Sequence, residues 1–222
     1  MTTAIQYQGR KTRRAGSEQR RQAILDAALT IIVREGIRSV RHRAVAREAE
    51  VPLSATTYYF KDISDLIADA FTLFAERAMT EVIEPFKEQA FALMAEFQGA
   101  DMGDPVQRGR LLQALSDMTA AFIVGEFEQR RDHLVAEQAF LQEAILDTRL
   151  RDLADLYLRE QMAALQQACE LLGAGNPRLD AELILSTMMT IEQRLLVHPE
   201  RATQEFVQAR MQNLLDKVLP RG

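Results

Sequence analysis

Between Arg41 and Lys61 the chain sets three arginines, among them Arg41 and Arg43 two residues apart, ahead of a cluster of hydroxyls, Ser54, Thr56, Thr57, Tyr58 and Tyr59, with Lys61 closing the run. Guanidinium groups pair with phosphates or guanine edges. Short hydroxyls let a helix backbone come close to base edges, and tyrosine and lysine reach along a strand backbone. This donor set suits a nucleic acid better than a reaction centre. The three histidines, His42, His133 and His198, lie in different segments, so no two of them share a helical face as metal ligands. There is no phosphate-binding glycine loop, nucleophile elbow or dinucleotide fingerprint. The sequence therefore predicts no enzyme, no cofactor and no metal.

Charge distribution points the same way. The net charge of -5 divides into +7 over residues 1–61, with twelve Lys and Arg against five Asp and Glu, and -12 over residues 62–222, with 15 against 27. A basic head on an acidic body fits a polyanion-binding module joined to a part that binds no polyanion. The 222 residues, 47% hydrophobic and 27% charged, suffice for a sizeable core, and ten glycines and six prolines are too few for a turn-rich β protein. No apolar run is long enough to span a bilayer and no secretory signal opens the chain, so a cytoplasmic protein is expected. The single cysteine, Cys169, is expected to be a small core or interface side chain.

These residues need elements to position them, and the periodicity predicts helices throughout. Residues 1–16, with four basic residues from Arg10 to Arg14, read as a basic flexible arm. Ser17 is the expected cap of a first helix, in which Ile24, Ala27, Ala28, Ile31 and Ile32 recur at three- and four-residue spacing until Gly36. Ser39 is the expected cap of a short second helix with Val40, Ala44, Val45 and Ala49 inward. Pro52 then breaks the pattern and opens a third helix to about Tyr59. Two short helices joined by a tight turn behind a longer one outline a helix-turn-helix, residues 17–61. Asp62 with Asp65 resembles the cap of a fourth helix, ended or kinked by Pro85. Further helices are expected over about 85–98, 106–125, 127–146, 150–172, 178–197 and 202–219.

From Ala23 to Phe74 the sequence resembles the DNA-binding domain of the TetR family of transcriptional regulators. The resemblance rests on the helix ending in Gly36, Ser39, Ala44 to Ala46, Val51, the aromatic run Tyr58, Tyr59 and Phe60, and Leu66. It implies an all-α protein whose N-terminal three-helix domain joins a larger helical ligand-binding and dimerisation domain, residues 62–222. It also implies a homodimer on a near-palindromic operator, with recognition helices roughly 34 to 36 Å apart, released by a small effector. Carried over, the DNA contacts fall on His42, Arg43, Leu53, Ser54, Thr57, Tyr58 and Tyr59, with Lys61 following. Two positions depart from the pattern. Glu50 stands where glycine is usual, at a left-handed conformation costing on the order of 1 kcal/mol, and Ile63 replaces a lysine.

The same resemblance assigns the effector to the fourth to seventh helices. Phe71, Phe74, Met94, Met118, Phe122 and Phe140 supply an apolar lining there, and His133 and Glu137 are the candidate polar anchors. It assigns dimerisation to the eighth and ninth helices, with Leu153, Tyr157, Leu165, Leu183, Thr187 and Ile191 as candidate contacts. A repressor is expected, because the acidic body shows no recognisable activation surface. The rival reading is a helical ligand-binding or adaptor protein whose DNA-binding domain is vestigial; sequence-specific, salt-dependent DNA binding separates the two.

Overall fold

Helix-period apolar positions become α-helices along the chain in a computed structural model that describes Tyr7 and residues 15–219. The helices are α1 (Ala15–Glu35), α2 (His42–Glu48), α3 (Leu53–Tyr59), α4 (Ile63–Ala78), α5 (Glu84–Glu96), α6 (Pro105–Gln129), α7 (Arg131–Ala144), α8 (Thr148–Leu171), α9 (Pro177–Val197) and α10 (Gln204–Val218). No strand occurs among the described residues. The expected basic arm falls, apart from Tyr7, Ala15 and Gly16, outside the described residues.

Several ends differ from the sequence expectation, each for a local reason. Ser17 lies inside α1, which begins at Ala15, so it is not the cap. Ser39 does not cap α2 either. It sits in a 3-10 turn, Ile37–Ser39, and its hydroxyl donates to the Glu35 carbonyl at 3.0 Å, closing the end of α1 instead. Gly36, at φ 84, supplies the left-handed residue that ends α1. Gly125 does not end α6, which runs on to Gln129, because buried Ile123 and Glu126 on either side hold the backbone helical. Before Pro85 the chain passes from α4 to α5 through a π segment, Met79–Ile83, the form of irregularity a proline's missing donor favours.

The chain forms two compact units, Met1–Met79 with Val135–Tyr157, and Thr80–Leu134 with Leu158–Gly222. In the first, α1 packs on α2 and α4, and α2 on α3. Its core holds Ile24, Leu25, Ile31, Ile32, Val40, Val45, Phe60 and Leu66. An aromatic cluster of Phe71, Phe74, Phe140 and Tyr157 completes it, with ring centroids 4.7 to 6.2 Å apart. In the second unit, α6 is the central helix. It packs against α5, α9 and above all α10, around Leu111, Leu115, Ile123, Ile184, Met188, Ile191, Leu195, Val207 and Met211. No helix among the described residues is long and apolar enough to cross a membrane.

Candidate nucleic-acid interface

The expected contact residues divide along the 3.6-residue period of α3. Leu53, Ser54, Thr57 and Tyr58 are exposed, and so are Lys61 just beyond the helix and Arg41 and Arg43 at the start of α2. Thr56 and Tyr59 turn the other way. Thr56 is fully buried, and its hydroxyl donates to the Leu53 carbonyl at 2.8 Å. Tyr59 is buried too, its hydroxyl 3.0 Å from that of Ser17 on α1. The expectation that Thr56 faces outward is therefore corrected, and of the two tyrosines Tyr59 is the one that packs beneath: a seven-residue helix packed on α2 must bury one side, and positions 56 and 59 form it. The pair Tyr58 and Tyr59 meets edge to face, centroids 5.1 Å apart, so the buried ring props the exposed one. His42 is half-buried, with Nδ1 enclosed.

The turn before α3 carries the strain expected of it. Glu50 is at φ 52, the sole non-glycine residue with positive φ among those described. Its N–H and that of Val51 bond back to the Arg47 and Ala46 carbonyls at 3.3 and 2.9 Å, fixing the turn that aims α3. Behind it, α4 is capped by Asp62, whose carboxylate accepts from the Asp65 N–H at 2.8 Å. Ile63 is the first residue of α4.

A buried ion pair locks α1 to α4 beneath this face. Arg21 Nη2 lies 2.6 Å from Asp69 Oδ2, both side chains nearly or wholly enclosed. Tyr7 lies with its ring 4.3 Å from the Arg21 guanidinium, and its hydroxyl donates to Glu76. Burial and the Glu76 carboxylate together raise the Tyr7 hydroxyl's pKa well above its ordinary value. Neither Asp69 nor Tyr7 stood out in the sequence. A carboxylate between Ala68 and Ala70 is the one available signal for the first.

The expected effector residues fall in both units. Phe71, Phe74, Glu137 and Phe140 belong to the first unit, where the three phenylalanines are packed among themselves and Glu137 accepts from the Tyr157 hydroxyl at 2.6 Å. In the second unit Phe122 stacks on Phe86, centroids 4.1 Å apart. Also there, Met94 and Met118 line a cavity of about 60 Å³ with residues of α5, α6, α8, α9 and α10. His133 lies 3.6 Å from Glu126 Oε2, whose other oxygen accepts from Arg130 Nη1 at 2.9 Å. Burial, then Arg130, pushes the His133 imidazole down to about 4, so the ring is neutral and the contact is not an ion pair. Burial also raises Glu126, against the pull of Arg130.

Among the expected dimer residues, Leu183 is exposed and Leu153 and Thr187 are half-buried. Tyr157 and Ile191 are corrected to core positions, the first in the aromatic cluster and the second in the core of the second unit. Leu165 lines the cavity. The apolar stripe of α9 is split by the helix: Ile184, Met188, Ile191 and Leu195 turn inward, while Leu179, Leu183, Ser186 and Thr190 form an exposed face.

The chain matches no protein-family model and no curated protein. Its fold is that of solved TetR-family structures. A TetR-family member from Streptomyces coelicolor A3 is 24% identical over 91% of this chain and 99% of its own, at a TM-score of 0.59. The multidrug binding protein EbrR, solved with proflavin, is 23% identical over 88% and 99%, at 0.57. NalD, the secondary repressor of the MexAB-OprM multidrug efflux pump in Pseudomonas aeruginosa, is 17% identical over 94% and 100%, at 0.62.

Proposed function

We propose that the chain is a ligand-responsive transcriptional regulator of the TetR family, a cytoplasmic repressor that binds a near-palindromic operator as a homodimer and has no catalytic role. The observation that carries this reading is the outer face of α3, where Leu53, Ser54, Thr57 and Tyr58 stand exposed beside Lys61 and the arginines of α2. Residues 17–61 read the DNA. The short hydroxyls approach base edges in the major groove, while Arg41, Arg43, Tyr58 and Lys61 take phosphates. Residues 62–222 bind effector and dimerise. Neighbours of the same fold are named as a member of the TetR family, a multidrug binding protein and a secondary repressor of an efflux pump. The effector acts by binding one state of the dimer more tightly than the other, and so shifts the population that holds DNA.

Fluorescence anisotropy of the purified chain on DNA from just upstream of its own gene, with scrambled DNA as control, tests the reading at two salt concentrations. Specific affinity is expected to fall steeply with salt. It is expected to fall further, by at least about tenfold, in a Thr57→Ala, Tyr58→Ala double variant, through loss of base and phosphate contacts. Should the upstream fragment fail, selection from genomic fragments is the second arm. A folded dimer that binds no fragment specifically would instead support the vestigial-domain adaptor.

A further inference from the structure

We infer that the cavity of the second unit is a ligand site for a neutral molecule with a single aromatic ring, and that α10 forms one wall of it. Its role as the effector site rests on the regulator reading above. The lining comes from five helices and includes no charged side chain; Thr119 and Cys169 carry the polar side chains among its lining residues. Burial pushes that thiol up to about 11, so it is protonated and not a nucleophile at neutral pH. An ion entering would lose its hydration with nothing to replace it, which excludes charged ligands.

The lining also selects for a ring. Met94, Met118, Met188 and Met211 converge on the cavity, and thioether sulfurs make favourable contacts with aromatic edges. Phe86, stacked on Phe122, is held rigidly as a further wall. At about 60 Å³ the space is smaller than the roughly 150 Å³ that holds benzene in a dry engineered cavity. The unbranched methionines can change rotamer at little cost, so a ring enters by moving them aside rather than by moving a helix.

The α10 wall is fastened at its edges. Arg108 on α6 pairs with Asp216 at 2.8 Å and donates to the Asp216 carbonyl at 2.7 Å, and Gln208 donates to Asp117 at 2.5 Å. The cavity-facing side of α10 thus adheres through apolar contact alone, while its polar ties lie outside the ligand's reach.

Calorimetric titration of the full-length protein with toluene tests this, beside benzoate and benzylammonium as charged probes of similar size. Saturable binding of toluene is expected, with both ions at least about tenfold weaker. Ala168→Leu, which fills the cavity, is expected to abolish toluene binding. If that variant does not fold, Ala90→Leu fills the space from α5. No saturable toluene binding, equal binding of the ions, or undiminished binding in the folded filled variant would overturn the site. Operator titration with saturating toluene tests the role: a change of at least about threefold is expected, and an unchanged affinity would overturn it as the effector site. Absence of specific DNA binding both with and without toluene would overturn the regulator reading and leave the calorimetric result standing.

Discussion

Asp69 is fully enclosed, and its carboxylate is held at 2.6 Å by an equally enclosed arginine, Arg21. Such a pair contributes little net stability when complete, yet removal of Asp69 leaves the buried Arg21 guanidinium with only the half-exposed Glu18 carboxylate, 3.3 Å away. Asp69→Ala is expected to destabilise the fold by about 3–5 kcal/mol, read from urea unfolding, with operator contacts untouched in the chain that remains folded. His133 gives a pH signature of definite sign. Its imidazole titrates at about 4 in the folded chain and near 6.5 unfolded. Between those values the unfolded state binds more protons, so stability falls as pH is lowered through that window. A loss on the order of 2 kcal/mol is expected from pH 7 to 4.5, measured as urea midpoints, and His133→Gln is expected to remove most of it. Glu126 acts with opposite sign, because a raised carboxylate takes up its proton earlier in the folded chain. The comparison of the two proteins isolates the imidazole.

One local device sets each of α3 and α4 in the proposed DNA-reading unit. Glu50 fixes the turn before α3 at a positive φ, and Asp62 starts α4 by taking the Asp65 N–H. Asp62→Ala is expected to cost about 1 kcal/mol, seen as a lower thermal midpoint with unchanged helix content well below the transition. These devices were legible beforehand: the unusual glutamate at the turn and the Asp62–Asp65 spacing are chemical signals along the chain. The serines were not. Ser17 and Ser39 are equally good caps by type, yet one hydroxyl lies beside Tyr59 and the other bonds the end of α1. A hydroxyl's partner depends on which backbone arrives beside it, and that is not a local property.

The exposed side of α9, Leu179, Leu183, Ser186 and Thr190, is the face expected to meet the same helix of a second copy. Leu183 and Leu179 are each more than half exposed in the single chain. Paired helices of this kind make an isologous contact in which each residue faces a counterpart from the other copy, and the small side chains of Ser186 and Thr190 permit close approach. Leu183→Glu would set like charges together at that contact. It is expected to convert the dimer to monomer in light scattering at micromolar concentration, and to lower operator affinity by at least about tenfold through loss of the second half-site. A variant that stays dimeric would move the interface off α9.

Periodicity in the linear chain was enough for the all-helical class, the outline of the helix-turn-helix and the break at Gly36, because each depends on neighbours within one or two turns. Only packing decided the destination of an apolar face. Phe71, Phe74 and Phe140 read as pocket lining but pack on one another and on Tyr157. Ile191 reads as interface but fills the core of the second unit. Met94 and Met118 meet across a cavity completed by α10, which the sequence left without a role. A helical repeat marks which side of a helix avoids water, whereas the surface that covers it comes from residues a hundred positions away.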